Sequence, residues 1–489
     1  MSNFIEKLRF KIWHPYLIIL YFVMKNAVDI HLPMFQWIEA FGIFLILSGI
    51  IFLSLLIIKK TPLNTLKWSL IITSASGILL FLLPIFSTLN YLYPSVFERV
   101  RQVLLFSSII WLVLSAIILL NKKKSFTGLN YYLNVLLITF CLWELGKSGY
   151  ESLAASEEIF SSLNATTLKP KYSVYLIVPD GYAASKNLKN YWQFDNAEFD
   201  NYLSQKGFFK ASNSHSNYKY TVLTMGSCLN MTYFASRSEP YIASQIKRNE
   251  ACKVLDKLNY DCFMLDFSGN NYKYDVKNTQ VDFKLLLYMQ SAAYLVCESL
   301  GVEVFKPPYL TNNKVFTQFE SYLDASKQQF IYMHSMITHP PFYDSAEESA
   351  EKNDTTLSRI LGKMGSDEWL FRKNTWRTIG SAQDDEYLKQ IYLSKIKYTN
   401  QQIQNTLDKN WDTLKNNIVI ILSDHGFREL PGSIQDVKAE TYSNYCAIYY
   451  PDRDYSALND SITPINVIRM TLNKAINTQL KYLPDRTNL

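Results

Sequence analysis

The sequence predicts a two-part α/β membrane protein. An N-terminal bundle of about five transmembrane helices comes first, then an α/β domain whose sheet has helices on both faces. Three observations predict this. Uncharged apolar intervals of membrane-spanning length crowd the first 145 residues. Basic residues alternate between the loops that join them. After residue 170, short and nearly continuous apolar runs alternate with helical stretches.

A bilayer crossing takes roughly 20 apolar residues. Residues 40–58, the first two-thirds of 68–97 and residues 102–121 carry no charge, and residues 125–143 start less apolar but end in the strongly apolar run 133–143. The first segment, 12–24, is shorter and contains His14 and Pro15. It spans if it recruits Ala27 and Val28, and an interfacial helix is its competitor. A signal peptide is not expected, because no small-residue cleavage site follows the first apolar segment and more spans do. Positive residues collect in cytoplasmic loops. Lys7, Arg9 and Lys11 precede the first span, Lys59, Lys60 and Lys67 follow the second, and Lys122, Lys123 and Lys124 follow the fourth. The opposite loops hold Lys25, then Arg99 and Arg101 beside Glu98. This alternation puts the N-terminus inside and everything after Trp143 outside.

Charge and composition exclude other classes. Residues 1–145 hold 12 Lys+Arg against 5 Asp+Glu, leaving 37 against 38 for the rest. The basicity therefore belongs to the apolar part, and nucleic-acid binding, which needs a basic patch on a folded face, is not expected. Disorder is excluded by 48% hydrophobic residues with only 16 Gly and 16 Pro. Five cysteines lie in the outer part, where disulfides are allowed. Cys252 and Cys262 read either as a local bridge or as two buried thiols.

Residues 147–170 are polar and read as a linker, so the chain divides into 1–146, 147–170 and an α/β domain over 171–489. The apolar runs 172–178, 262–265, 330–336, 418–422 and 445–450 read as strands covered on both faces, hence a mostly parallel or mixed sheet. Residues 384–414 have helical period, and the charged, irregular stretch 345–383 reads as an insertion or lid.

Ligands of α/β sheets gather beyond the carboxyl ends of the strands. Two runs end in acidic turns there, PDG with Asp180 and SDHG with Asp424 and His425. SNYKYT places Thr221 where a loop enters a helix, and MHSMITHPP places His339 just after a strand. Two Asp, a His and a hydroxyl suit one divalent ion, Zn²⁺ or Mn²⁺, with an open position for substrate. A threonine hydroxyl becomes a nucleophile when coordination lowers its pKa, and a helix N-terminus adds N–H donors for phosphate oxygens. His339 is a candidate either to donate to a non-bridging phosphate oxygen or to protonate the leaving alkoxide, and Arg428 to anchor phosphate. Plainer readings stand beside these: Asp180 as a turn former, Thr221 as a helix start, Arg428 as a solvated side chain. His334 lies within a strand and reads as packed or hydrogen-bonded. His14 and His31 read as interfacial, and His215 is ambiguous.

The order Asp180, Thr221, His339, Asp424-His425 resembles the alkaline phosphatase superfamily, in its membrane-bound sulfatase-like branch of lipoteichoic acid synthases and phosphoethanolamine transferases. The closing segments SNYCAIYYPD and SITPINVIR are also similar to that branch. The resemblance implies an alkaline-phosphatase-like α/β/α sandwich over 171–489, facing outward from the cytoplasmic membrane. It implies Asp180, Thr221, Asp424 and His425 as metal ligands, Thr221 as nucleophile, and His339 at the position where that branch binds substrate or a second metal; Arg428, three residues past His425, is a substrate-binding candidate on its own position. The implied reaction moves a phospholipid head group, phosphoethanolamine or phosphoglycerol, onto a glycan or lipid acceptor. Departures narrow it. No C/S-x-P-x-R motif surrounds Thr221 or Cys228, which argues against sulfate ester hydrolysis. Asp180 stands where these transferases usually carry Glu, and no histidine follows His425, which favours a single metal. A phosphodiesterase or phosphatase with the same site, and a non-catalytic membrane scaffold with a degenerate enzyme domain, are the alternatives.

Overall fold

The computed structural model describes residues 2–58, 65–92, 100–121, 125–154, 168–234, 239–265, 272–274, 283–293, 314–339, 382–428 and 436–487. The chain forms two compact units, Met1–Glu157 with Gln280–Lys306, and Glu158–Thr279 with Pro307–Leu489.

The first unit is helical: α1 (Ser2–Phe10), α2 (His14–Asp29), α3 (Trp37–Ile58), α4 (Thr65–Leu92), α5 (Val100–Leu120) and α6 (Thr127–Ala154). Among the described residues, three helices are long and apolar enough to cross a membrane, over Met34–Ile58, Thr65–Leu82 and Thr127–Lys147, and Phe106–Leu120 is a shorter apolar helix. Their outer faces leave Ile38, Leu53, Ile57, Leu112 and Leu120 exposed, a surface that suits lipid and not water. Helix α2 differs. Pro15 opens it, where a missing N–H costs nothing, and it buries ten of its sixteen residues while packing against α3, α4 and α6. The first apolar segment is thus internal to this unit. His14, expected at an interface, is buried with Nδ1 2.6 Å from Thr73 Oγ1. Asn134 of α6 donates to Leu8 O and Lys11 O at 2.8 Å, joining α1 to α6. The basic loops 59–60 and 122–124 lie outside the described residues, as does most of the expected linker, whose first residues continue α6 to Ala154.

The second unit follows as β1 (Val174–Pro179), α7 (Ser185–Trp192), α8 (Ala197–Lys206), β2 (Phe209–Lys210), α9 (Thr221–Asn230), α10 (Glu239–Lys247), α11 (Glu250–Asp256), β3 (Asp261–Leu265) and β4 (Tyr272–Lys273). Helix α12 (Phe283–Gln290) belongs to the first unit, where Phe283 and Leu287 are buried in the cluster of Ile18, Phe22 and Ala27. Lys284 also pairs with Glu39 at 3.4 Å. The second unit resumes with α13 (Lys314–Tyr322), β5 (Gln329–Ser335), α14 (Ala382–Leu414), β6 (Ile418–Leu422), α15 (Val437–Tyr442), β7 (Cys446–Tyr449) and α16 (Pro464–Ile476). The expected lid, 345–383, lies outside the described residues except where α14 begins.

Among the described residues the strands form one seven-stranded mixed sheet, ordered β2-β7-β6-β1-β5-β3-β4. Strand β1 is parallel to β5 and β6, and β3 is parallel to β5, while β2, β4 and β7 pair antiparallel. Alternate residues of each strand point to opposite faces. Tyr175, Ile177, Ile331 and Ile421 meet α7, α8, α13 and α14 on one side. Leu176, Val178, Tyr332 and Ile420 meet α9, α11 and α16 on the other. Both faces are covered, which is why the central strands read as unbroken apolar runs. Cys252 and Cys262 are free, buried thiols, so of the two sequence readings the structure takes the unbridged one.

Ile420 is fully buried at the centre of β6. Ile420→Ala is expected to lower stability by about 2–5 kcal/mol, measured by denaturant unfolding in detergent; a loss below about 1 kcal/mol would show that this face is not close-packed.

Candidate active site

Strands β1, β5 and β6 run parallel at the middle of the sheet, so their carboxyl ends open on one edge. Asp180 follows β1, and its backbone N–H donates to Ser335 O at the end of β5 at 2.9 Å. Gly181 then turns with φ of +67°, a conformation that suits glycine, and its N–H donates to Asp424 Oδ1 at 3.0 Å. The acidic turns of β1 and β6 are thereby locked together. Beyond β6, Gly426 is needed for close approach, since a Cβ there would stand 1.9 Å from Glu440 O. Its N–H donates to Thr441 O at 3.0 Å, fixing His425 between β6 and α15.

Thr221 is the first residue of α9. Its Oγ1 is 3.1 Å from Asp180 Oδ2 and 3.3 Å from His425 Nε2, so one hydroxyl proton faces two acceptors. His425 Nδ1 donates to Gly426 O at 2.6 Å, which leaves the Nε2 lone pair turned toward the threonine. Asp180 Oδ1 has no hydrogen-bond partner, although His425 Nε2 lies 3.9 Å away and His339 Nε2 4.0 Å. Asp424 Oδ2 is likewise unpartnered, 3.1 Å from His425 Nε2 but outside hydrogen-bond geometry. Two orphaned carboxylate oxygens beside an imidazole lone pair fit a divalent cation, because such atoms otherwise cost free energy to bury. Ligand atoms of Asp180, His334 and Asp424 all lie within 4.8 Å of one another and could hold a metal ion.

His334 is the residue that sequence reasoning did not place here. It is next to last in β5, where Tyr332 OH donates to its Nδ1 at 2.6 Å and its Nε2 donates to Asp180 Oδ2 at 3.0 Å. Its position beside a strand end, as for Asp180 and Asp424, is the signal that could have found it. His339 stands at the rim. Arg428 Nη2 donates to its Nε2 at 2.7 Å, so the ring proton sits on Nδ1, which has no partner. Arg428 also lies over the Tyr220 ring at 5.5 Å and donates to Lys219 O at 3.4 Å. Five sequence-selected residues, Asp180, Thr221, Asp424, His425 and His339, therefore converge, with Arg428 bonded to the last of them. His215 is exposed on the loop before α9 and makes no contact with this group among the described residues.

Burial pushes the Asp180 carboxyl up, but the imidazoles of His339, His334 and His425 outweigh it and hold the group well below the usual carboxylate range. Cys228, on the same helix as Thr221, has its thiol pushed up by burial, which makes it unreactive. Behind Gly426, burial raises Glu440 from 4.5 to about 7 despite hydrogen bonds from Trp192 Nε1 at 2.6 Å and Asn187 Nδ2 at 2.8 Å.

The second unit is thus an α/β/α layer structure with acidic and histidine turns gathered at its parallel strand ends. A family model described as sulfatase matches residues 183–446, more than half of the chain, and the chain belongs to the sulfatase family. This agrees with the superfamily that the motif order resembles. Among solved structures, the chain is similar to the C-terminal periplasmic domain of EcEptC from Escherichia coli, at 12% identity over 63% of this chain and 82% of that one, with a TM-score of 0.39. It is also similar to the integral membrane protein lipooligosaccharide phosphoethanolamine transferase A from Neisseria meningitidis, at 13% identity over 96% of each chain and a TM-score of 0.37. The periplasmic domain of phosphoethanolamine transferase EptC from Campylobacter jejuni matches at 15% identity, over 63% of this chain and 91% of that one, with a TM-score of 0.34. No curated protein matches the chain.

A carboxyl raised in the folded state contributes stability that is fully present below its unfolded value and is lost as pH rises through the folded one. Wild type should therefore lose stability relative to Glu440→Gln as pH rises from about 4.5 to about 7. Thermal midpoints of both proteins across that range test this, and a constant difference between them would refute it.

Proposed function

We propose that the protein is a membrane-bound, metal-dependent phosphotransferase that moves a phospholipid head group, phosphoethanolamine or phosphoglycerol, through a phospho-Thr221 intermediate onto a glycan or lipid acceptor. The observation that carries this reading is the Thr221 hydroxyl at a helix N-terminus, within hydrogen-bond reach of both Asp180 and His425.

Asp180, Asp424, His425 and Thr221 would hold one divalent ion, Zn²⁺ or Mn²⁺, with His334 beside them, and the ion would supply a lowered hydroxyl pKa and neutralisation of phosphate charge. The chain's own groups do the rest. The Thr221 proton passes to Asp180 Oδ2, the carboxylate oxygen it already faces at 3.1 Å. Oγ1 forms a bond to phosphorus while the bond from phosphorus to the diacylglycerol oxygen breaks. That oxygen takes a proton from His339 Nδ1, the partnerless donor at the rim. Free N–H groups in the first turn of α9 orient the phosphate oxygens, and Arg428, stacked on Tyr220, fixes the negative end of the donor. An acceptor hydroxyl then attacks phosphorus and gives its proton to His339 Nδ1, while the bond from phosphorus to Thr221 Oγ1 breaks and that oxygen takes back the proton held on Asp180 Oδ2.

In the same reading α2 to α6 span the cytoplasmic membrane five times, the N-terminus is inside, and 171–489 works on the periplasmic or extracellular side. A lipid donor then shares a surface with the enzyme, which raises its effective concentration. Sulfatase-family membership favours a second reading, ester hydrolysis with water in place of the acceptor.

Mass spectrometry of full-length protein given head-group-labelled phospholipid separates the two. Transfer is supported by a labelled adduct on Thr221 that passes to an added glycan or lipid, and hydrolysis by free head group alone. Thr221→Ala should abolish the adduct and reduce turnover by about 1,000-fold or more. Undiminished turnover in that variant would remove the nucleophile, and unchanged cellular function would favour a scaffold.

A further inference from the structure

Because Thr221 is the first residue of α9, its oxygen is placed by whatever holds the two ends of that helix. Both ends are tied to one stretch of chain outside the strand-end turns. At the C-terminal end, Met231 caps α9 in the left-handed conformation, and Arg469 of α16 donates to Met231 O from Nε at 2.9 Å and from Nη2. At the N-terminal end, the approach loop carries Asn217, fully buried four residues before Thr221. Its Oδ1 accepts from Ile465 N at 3.3 Å, and its Nδ2 donates to Arg486 O at 2.8 Å and to Tyr233 OH at 3.3 Å.

Between these ties residues 478–486 run along α16, held by side chains three or four residues apart on one helix face. Asn473 accepts from Leu480 N at 2.8 Å and donates to Leu480 O at 3.0 Å. Arg469 Nη1 donates to Lys481 O at 2.6 Å. Asn466 accepts from Leu483 N at 2.9 Å and donates to its carbonyl at 2.8 Å. Thr463 Oγ1 donates to Asp485 Oδ1 at 2.6 Å. Last, Tyr233 OH donates to Pro484 O at 2.6 Å and accepts from Arg486 N at 3.1 Å. This segment is tied at Leu480, Lys481, Leu483, Pro484 and Asp485 before Arg486 meets Asn217.

We infer that residues 478–486 form a strap that positions the nucleophile helix, and that Asn217 is a positioning residue acting on Thr221 through the loop 217–220. The inference rests on Thr221 being the nucleophile. Cutting the link leaves the buried N–H of Ile465 without its partner and releases the loop from Arg486 O, so the loop gains freedom at the one place where the attacking oxygen has to be fixed. Displacement of an attacking atom by about 1 Å costs up to about 100-fold in rate, with substrate binding spared.

The test compares full-length wild type, Asn217→Ala and the milder Tyr233→Phe in detergent with Zn²⁺. Amide hydrogen exchange is followed by mass spectrometry, and turnover is measured on bis(p-nitrophenyl) phosphate. Exchange over 213–224 should rise about tenfold in both variants while the β1 and β6 peptides stay protected. The kcat should fall about tenfold with KM changed by less than about twofold. Unchanged exchange over 213–224 in both variants, a rise spread through the sheet in both, or a higher KM at constant kcat would overturn the strap. Absence of turnover in wild type would count against the enzymatic reading alone, and the exchange data would then decide the strap.

Discussion

A carboxylate with no solvent contact must find compensation inside the protein, or the cost of burying it falls on the fold. Asp180 is fully buried at the end of the central strand and finds that compensation in Thr221, His334, His339 and His425, which come from three other parts of the chain. The demands of this one group explain much of the surrounding architecture. It sits on β1 because β1 has a parallel neighbour on each side, so the histidines of β5 and the acid-histidine pair of β6 can reach it from both flanks. Compensation stays incomplete, since Asp180 Oδ1 and Asp424 Oδ2 remain without hydrogen bonds. That deficit is what a divalent cation would fill, and it separates this edge of the sheet from a merely structural ion-pair network.

Behind the site, successive supports fix the groups that face it. Tyr392 OH of α14 accepts from Ala183 N at 3.1 Å and donates to Gly181 O at 2.9 Å, and Gly426 rests against α15 through a contact that admits no side chain. The strap along α16 does the same for α9. Geometry held from several directions is what a reaction with a poised nucleophile requires, because no reorganisation is left for the moment of attack.

The parts of this arrangement that were legible in the sequence are those whose burial is uniform. Strands β1, β5 and β6 are covered on both faces, so they stand out as apolar runs, and polar residues just past their ends stand out against them. Asp180, Asp424, His425 and His339 are legible in this way, and Thr221 as the residue where a loop enters a helix. His334 was not, because it is embedded in the run and a strand's last residue is set by pairing with its neighbours. The two-residue strands β2 and β4 carry no periodicity and exist only through their antiparallel partners. In the helical unit, an apolar segment looks the same whether lipid, a sheet or other helices surround it. Neither the internal position of α2 nor the membership of α12 in that unit could be read from composition, since both are decided by tertiary neighbours.

If Asp180 and Asp424 share one divalent ion, elemental analysis of the purified full-length protein should find about one zinc or manganese per chain in wild type, falling to near zero in both Asp180→Asn and Asp424→Asn while the proteins stay folded. Wild-type protein that binds no divalent ion after incubation with zinc or manganese, or variants that retain the full complement, would contradict it.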